Sequence, residues 1–76
     1  MVTMVRMDGF KIEVRTDHRP PHCHVTAADA DLVVDLRTLQ ITAGSAPRKL
    51  ADKALAWITV HQDELVAKWN ELNERG

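Results

Sequence analysis

A chain of 76 residues holds one domain and excludes two, and a core this small supplies only about 3–5 kcal/mol of net stability, so association into a homodimer is an option. Ten basic and eleven acidic side chains leave a net charge of −1, which argues against a general electrostatic grip on nucleic acid. The lone Cys23 excludes an intramolecular disulfide, and no apolar stretch has the length of a membrane span or a secretory leader, so a cytoplasmic protein is expected.

From Met4 to Met7 the chain is apolar apart from Arg6; Asp8-Gly9 interrupts it, and Phe10 to Arg15 then alternates apolar and charged residues with period two. An Asp-Gly pair accepts the positive φ angles of a tight hairpin turn, so two strands are predicted, with Phe10, Ile12 and Val14 inward. Thr16 to Pro21 has two prolines and no other apolar residue, which makes it a connection. Alternation resumes with His22, His24 and Thr26 on one side and Cys23, Val25 and Ala27 on the other. Ala28-Asp29-Ala30 is a turn, and Asp31 to Leu36 is another arm with Leu32, Val34 and Leu36 inward. Arg37 to Thr42 can add a short edge strand through Leu39 and Ile41, ended by Gly44.

Beyond Gly44 the period changes. Leu50, Ala54, Ile58, His61, Leu65, Trp69 and Leu72 recur at steps of three and four, the spacing of one helix face. Ser45 is the expected cap, and Pro47 falls in the first turn, where its missing N–H costs nothing. The β-branched run Ile58-Thr59-Val60 weakens the helix near His61, but one helix is preferred to two. The expected architecture is α+β: an antiparallel meander of three to five strands with one long C-terminal helix packed on one face, kinked if it yields at His61. The other face is open and polar.

Asp17-His18-Arg19-Pro20-Pro21-His22-Cys23-His24 gathers three imidazoles and a carboxylate in eight residues. Residues two apart in a strand share a face, so His22 and His24 are neighbours able to offer two nitrogens to one metal ion. His18 is the candidate third ligand, with Asp31 or Asp35 as substitutes; zinc, manganese or iron held this way keeps positions open for water. The same histidines also fit a structural role, paired across strands with Asp31 and Asp35. Cys23 points to the core. His61, on the apolar stripe, is expected to be buried and bonded to backbone, out of reach of His22 and His24. Trp57 and Trp69 are core or boundary residues, either of which could anchor a partner. Arg48 and Lys49 crowd the helix N-terminus against the preference of its dipole, and are most simply a solvated face or else a candidate anion site.

This combination of motifs is similar to a bacterial domain-of-unknown-function family marked by DHxPPHxH: the run from Asp17 to His24, the strand ending Val34-Asp35-Leu36 with Thr38-Leu39, Gly44 with Pro47-Arg48, and Trp57 through His61-Gln62-Asp63-Glu64-Leu65 to Trp69. Here Cys23 and Val25 stand where that family usually has an aromatic and a further apolar residue. The resemblance implies a small stand-alone bacterial or phage-borne protein, encoded beside another small gene in the manner of toxin–antitoxin pairs, and it counts His61 and Trp69 among the motif positions without giving either a role. The function expected is therefore a non-enzymatic interaction protein, a toxin–antitoxin component or an anti-CRISPR-like inhibitor, that binds a protein or nucleoprotein partner. Asp17, Asp31, Asp35, Arg48 and Lys49 are its candidate contact residues. The alternative is a metal-dependent hydrolase or nuclease using His18, His22 and His24 with zinc or manganese.

Overall fold

Alternating residues in the first half of the chain pair as successive antiparallel arms. In the computed structural model, which describes residues 2–7, 9–18 and 20–73, strands β1 (Val2–Met7), β2 (Phe10–Val14), β3 (His22–Ala27), β4 (Asp31–Asp35) and β5 (Ile41–Ser45) lie in sequential order in one sheet. Two helices follow, α1 (Arg48–Val60) and α2 (Gln62–Asn73). Of the turn between β1 and β2, Asp8 lies outside the described residues and Gly9 takes φ +82°. The register is Met7 opposite Phe10, Ile12 opposite Val25, and Cys23 opposite Val34, which puts the predicted inward set on one face. Phe10, Ile12, Val14, Cys23, Val25, Leu32, Val34 and Leu36 are buried there with Ala54 and Ile58 of α1 and Leu65 and Trp69 of α2. Burial pushes the Cys23 thiol up to about 12, as befits a core residue.

The structure corrects four expectations. The helical segment is two helices, because the chain departs from helical geometry at His61 (φ −108°, ψ 21°). The preceding turn is weakened by its own side chains: Thr59 Oγ1 donates to the Leu55 carbonyl at 2.7 Å, and the His61 ring nitrogen Nδ1 donates to the Trp57 carbonyl at 2.9 Å, both of which compete with the helix ladder. Ser45 does not cap α1. It is the last residue of β5, and Pro47 occupies the N-cap position with no side-chain cap bond.

The fifth strand begins only at Ile41 and includes Gly44, instead of running from Arg37 to a stop at that glycine. Asp35 is the reason. Its Oδ1 accepts the backbone N–H of Arg37 at 2.7 Å and of Thr38 at 3.2 Å, and its own N–H reaches Gln40 O at 2.9 Å, so 36–40 form a tight turn with Leu39 at φ +62°. Finally, the second sheet face is not open throughout: Glu13 is 1% and His22 8% exposed. The His22 ring stands 4.9 Å from that of Trp69, so α2 reaches the histidine side at the start of β3.

Candidate functional site

His22 opens β3, and the two prolines before it bring the chain round so that its ring folds back over the preceding turn. Its Nδ1 lies 2.7 Å from Pro20 O, and because a carbonyl can only accept, Nδ1 carries the proton. Nε2 is thereby aimed at Asp17 Oδ2, 3.0 Å away. His24, two residues on, presents its ring 5.2 Å from that of His22, the neighbour relation expected of alternate strand positions. Its Nε2 is buried without a hydrogen-bond partner, 3.7 Å from the same Asp17 oxygen. The nearest ligating atoms of Asp17, His22 and His24 all lie within 4.8 Å of one another.

Asp17 is held in place from the far end of the chain. Its backbone N–H donates to Asn73 Oδ1 at 2.7 Å, while Asn73 Nδ2 donates to the carbonyls of Arg15 and Trp69, both at 3.1 Å. Asp17 Oδ1 accepts the His18 backbone N–H at 2.8 Å. That bond, with the His22 ring beside Oδ2, holds the Asp17 carboxyl down at about 2, so it is a carboxylate at any ordinary pH. His24 titrates below the usual histidine range, first because burial disfavours its cation, then because Arg15 and His22 are near; Asp17 opposes the shift. A neutral imidazole is the form that offers a lone pair.

The predicted site residues divide. His18 lies beside the cluster but points away: its Nδ1 is 2.9 Å from Asp17 Oδ1 while its side chain is 89% exposed. Asp35, opposite His22 in register, joins it in lining a cleft of about 420 Å³ with Asp17, His18, Pro20, Val33 and Thr42. Asp31 is exposed at the other end of β4, opposite Thr26 and Ser45. Arg48 and Lys49 are exposed at the start of α1, where Arg48 Nε stands 3.7 Å from Asp52 in an i, i+4 pair; no described contact joins them to the histidines. Arg19 lies outside the described residues.

His61 does not approach the cluster. Its ring stacks on Trp57 at 4.0 Å and 16°, and with Met7, Lys53, Ala56 and Val60 the pair lines a separate groove of about 460 Å³ beneath the β1 end. Val60 is 78% exposed there.

Two features escaped sequence reasoning. Trp69, fully buried, walls the histidine cluster from the helix side, which a sheet with cleanly separated faces does not allow for. Glu13, opposite His24, is buried with Arg15 Nη2 at 2.8 Å and Lys11 Nζ at 3.5 Å from its carboxylate. The charged alternation Lys11, Glu13, Arg15 was the signal that these three share a face.

No described helix is long and apolar enough to cross a membrane. No curated protein and no solved structure matches the chain. A family model described as Domain of unknown function (DUF4160) matches residues 9–70, a span that holds β2 to β5, all of α1 and most of α2 together with the Asp17, His22 and His24 cluster, and the chain belongs to that family.

Proposed function

We propose that this chain is a small non-enzymatic interaction protein, of the mobile-element or toxin–antitoxin kind and including anti-CRISPR-like inhibitors, that acts by binding a protein or nucleoprotein partner. The groove lined by Met7, Ala56, Trp57 and Val60 carries the reading. An exposed valine beside a half-buried tryptophan is an apolar contact surface, and the stacking of His61 on Trp57 holds the indole in place, so little side-chain freedom is lost on docking. Lys53 at the same groove supplies a charge at its margin, where it steers more than it binds. The test is co-purification from the native host of tagged wild type and of Val60→Asp. One stoichiometric partner retained by wild type and lost from a Val60→Asp protein of unchanged circular dichroism supports the reading. Wild type that purifies alone, or a partner held equally by both, rejects it.

The second reading, a metal-dependent hydrolase or nuclease, is favoured by the cleft that adjoins the histidines and contains Asp35. A metal-bound water facing that cleft would have a carboxylate nearby. Turnover of nucleic acids or phosphoesters by wild type, abolished in a folded His24→Ala protein, is its expected signature; equal rates in the two remove it.

A further inference from the structure

We propose that Asp17, His22 and His24 form a binding site for one divalent first-row transition ion of the zinc class, with His18 excluded from the ligand set. The site is independent of the partner reading above.

Three observations converge on the ion. First, His22 donates Nδ1–H to a backbone carbonyl, the arrangement that orients a metal-ligating histidine and frees Nε2 to coordinate. Without a cation, Nε2 either takes a second proton or sets its lone pair against the lone pairs of Asp17 Oδ2 at 3.0 Å. Second, His24 Nε2 is buried with no hydrogen-bond partner, 3.7 Å from the Asp17 carboxylate. A buried polar atom left unpaired is costly, so an orphaned ring nitrogen beside a carboxylate and a second imidazole calls for a ligand. Third, Asp17 is fixed from outside the cluster by Asn73 and by the His18 backbone, so the carboxylate is placed before any ion arrives.

The distances are compatible. With bonds of about 2.0–2.2 Å, adjacent ligand atoms around an ion stand roughly 3.0–3.5 Å apart. The Asp17 oxygen is 3.0 Å from one imidazole nitrogen, inside that range, and 3.7 Å from the other, just outside it; all three atoms lie within 4.8 Å of one another, so the rings close slightly on an ion that engages all three. Two imidazoles and one carboxylate favour zinc, manganese, iron or cobalt over magnesium and calcium, which prefer all-oxygen shells. His18 is left out because its ring nitrogen approaches the other carboxylate oxygen, Oδ1, from solvent.

Untagged protein stripped with chelator is titrated with zinc against a chromophoric competitor, and with cobalt while its visible absorption is recorded. Wild type is expected to take up one equivalent of each. His24→Ala and the isosteric Asp17→Asn, checked for folding by circular dichroism, should bind at least 10-fold more weakly, while His18→Ala should bind as wild type. No uptake by wild type overturns the site, as does undiminished affinity in Asp17→Asn. A loss in His18→Ala as large as that in His24→Ala overturns the assignment of ligands. Asp17→Asn preserves shape, so the result does not depend on whether a histidine variant folds.

Discussion

Glu13 is a carboxylate at 1% exposure on a small sheet, and its neighbours decide its protonation. Burial alone would raise its pKa, but the hydrogen bond from Arg15 and the charges of Lys11 and Arg15 outweigh it, and the group titrates below its ordinary 4.5. Because the folded pKa is the lower one, its contribution to stability is present above the unfolded value and is lost as pH falls through the folded one. Arg15 and Lys11 are partly in water, so the interaction is screened. Glu13→Gln is therefore expected to lower stability by about 1–2 kcal/mol at pH 7. The difference should shrink steadily below pH 4.5 and vanish at strongly acidic pH. Urea unfolding of both proteins between pH 2 and pH 7 checks this, and a difference that grew toward acid would refute it.

At the scale of elements, the strands were legible because alternation, turn residues and burial agree, and Ile12, Val25 and Leu32 needed nothing further. The end of the sheet was less so. A leucine at φ +62° follows no composition rule; it depends on the side-chain bonds of Asp35, which alternation treats only as an outward strand residue. Gly44 was read as a terminator and is instead a strand residue at φ +83°, where a Cβ would sit 2.2 Å from the Asp31 backbone oxygen. Conformation and space both require glycine there. Gly44→Ala should cost at least about 2 kcal/mol, a fall of roughly 8–16 °C in melting temperature for a domain of this size, with Ala43→Ser as the neutral comparison. A melting point within a degree or two of wild type would show that β5 can leave β4 without loss. The helix break at His61 had a visible cause in Ile58-Thr59-Val60, but an uninterrupted apolar stripe outweighed it, since a one-residue break preserves the phase of the stripe.

Across the whole molecule, the candidate site was half legible. The i, i+2 spacing of His22 and His24 shows in the sequence because it depends only on strand geometry. The choice of Asp17 over His18 does not, because it depends on Asn73, 56 residues away, and on the fold of the proline turn. The proposed ligands also touch more of the fold than their span of eight residues suggests. Asp17 is tied to the last residue of α2, and the His22 ring lies against Trp69 of the core. An ion at that point bridges the β2–β3 connection to β3 while both are anchored to the C-terminal helix, so the folded chain presents the three atoms already placed, whereas the unfolded chain must order an eight-residue segment to gather them and binds more weakly. Preferential binding to the folded state stabilises it by up to about 2.7 kcal/mol when free ion is at 100 times the dissociation constant. For a chain of 76 residues this corresponds to a rise of up to roughly 10–20 °C in melting temperature, reversed by chelator. The rise should be absent in Asp17→Asn and present in His18→Ala. These two residues are adjacent and both lie at the cleft, so an ion held through the His18 ring would lose its effect in His18→Ala, and a rise kept there but lost in Asp17→Asn assigns the ion to the carboxylate side of the cluster.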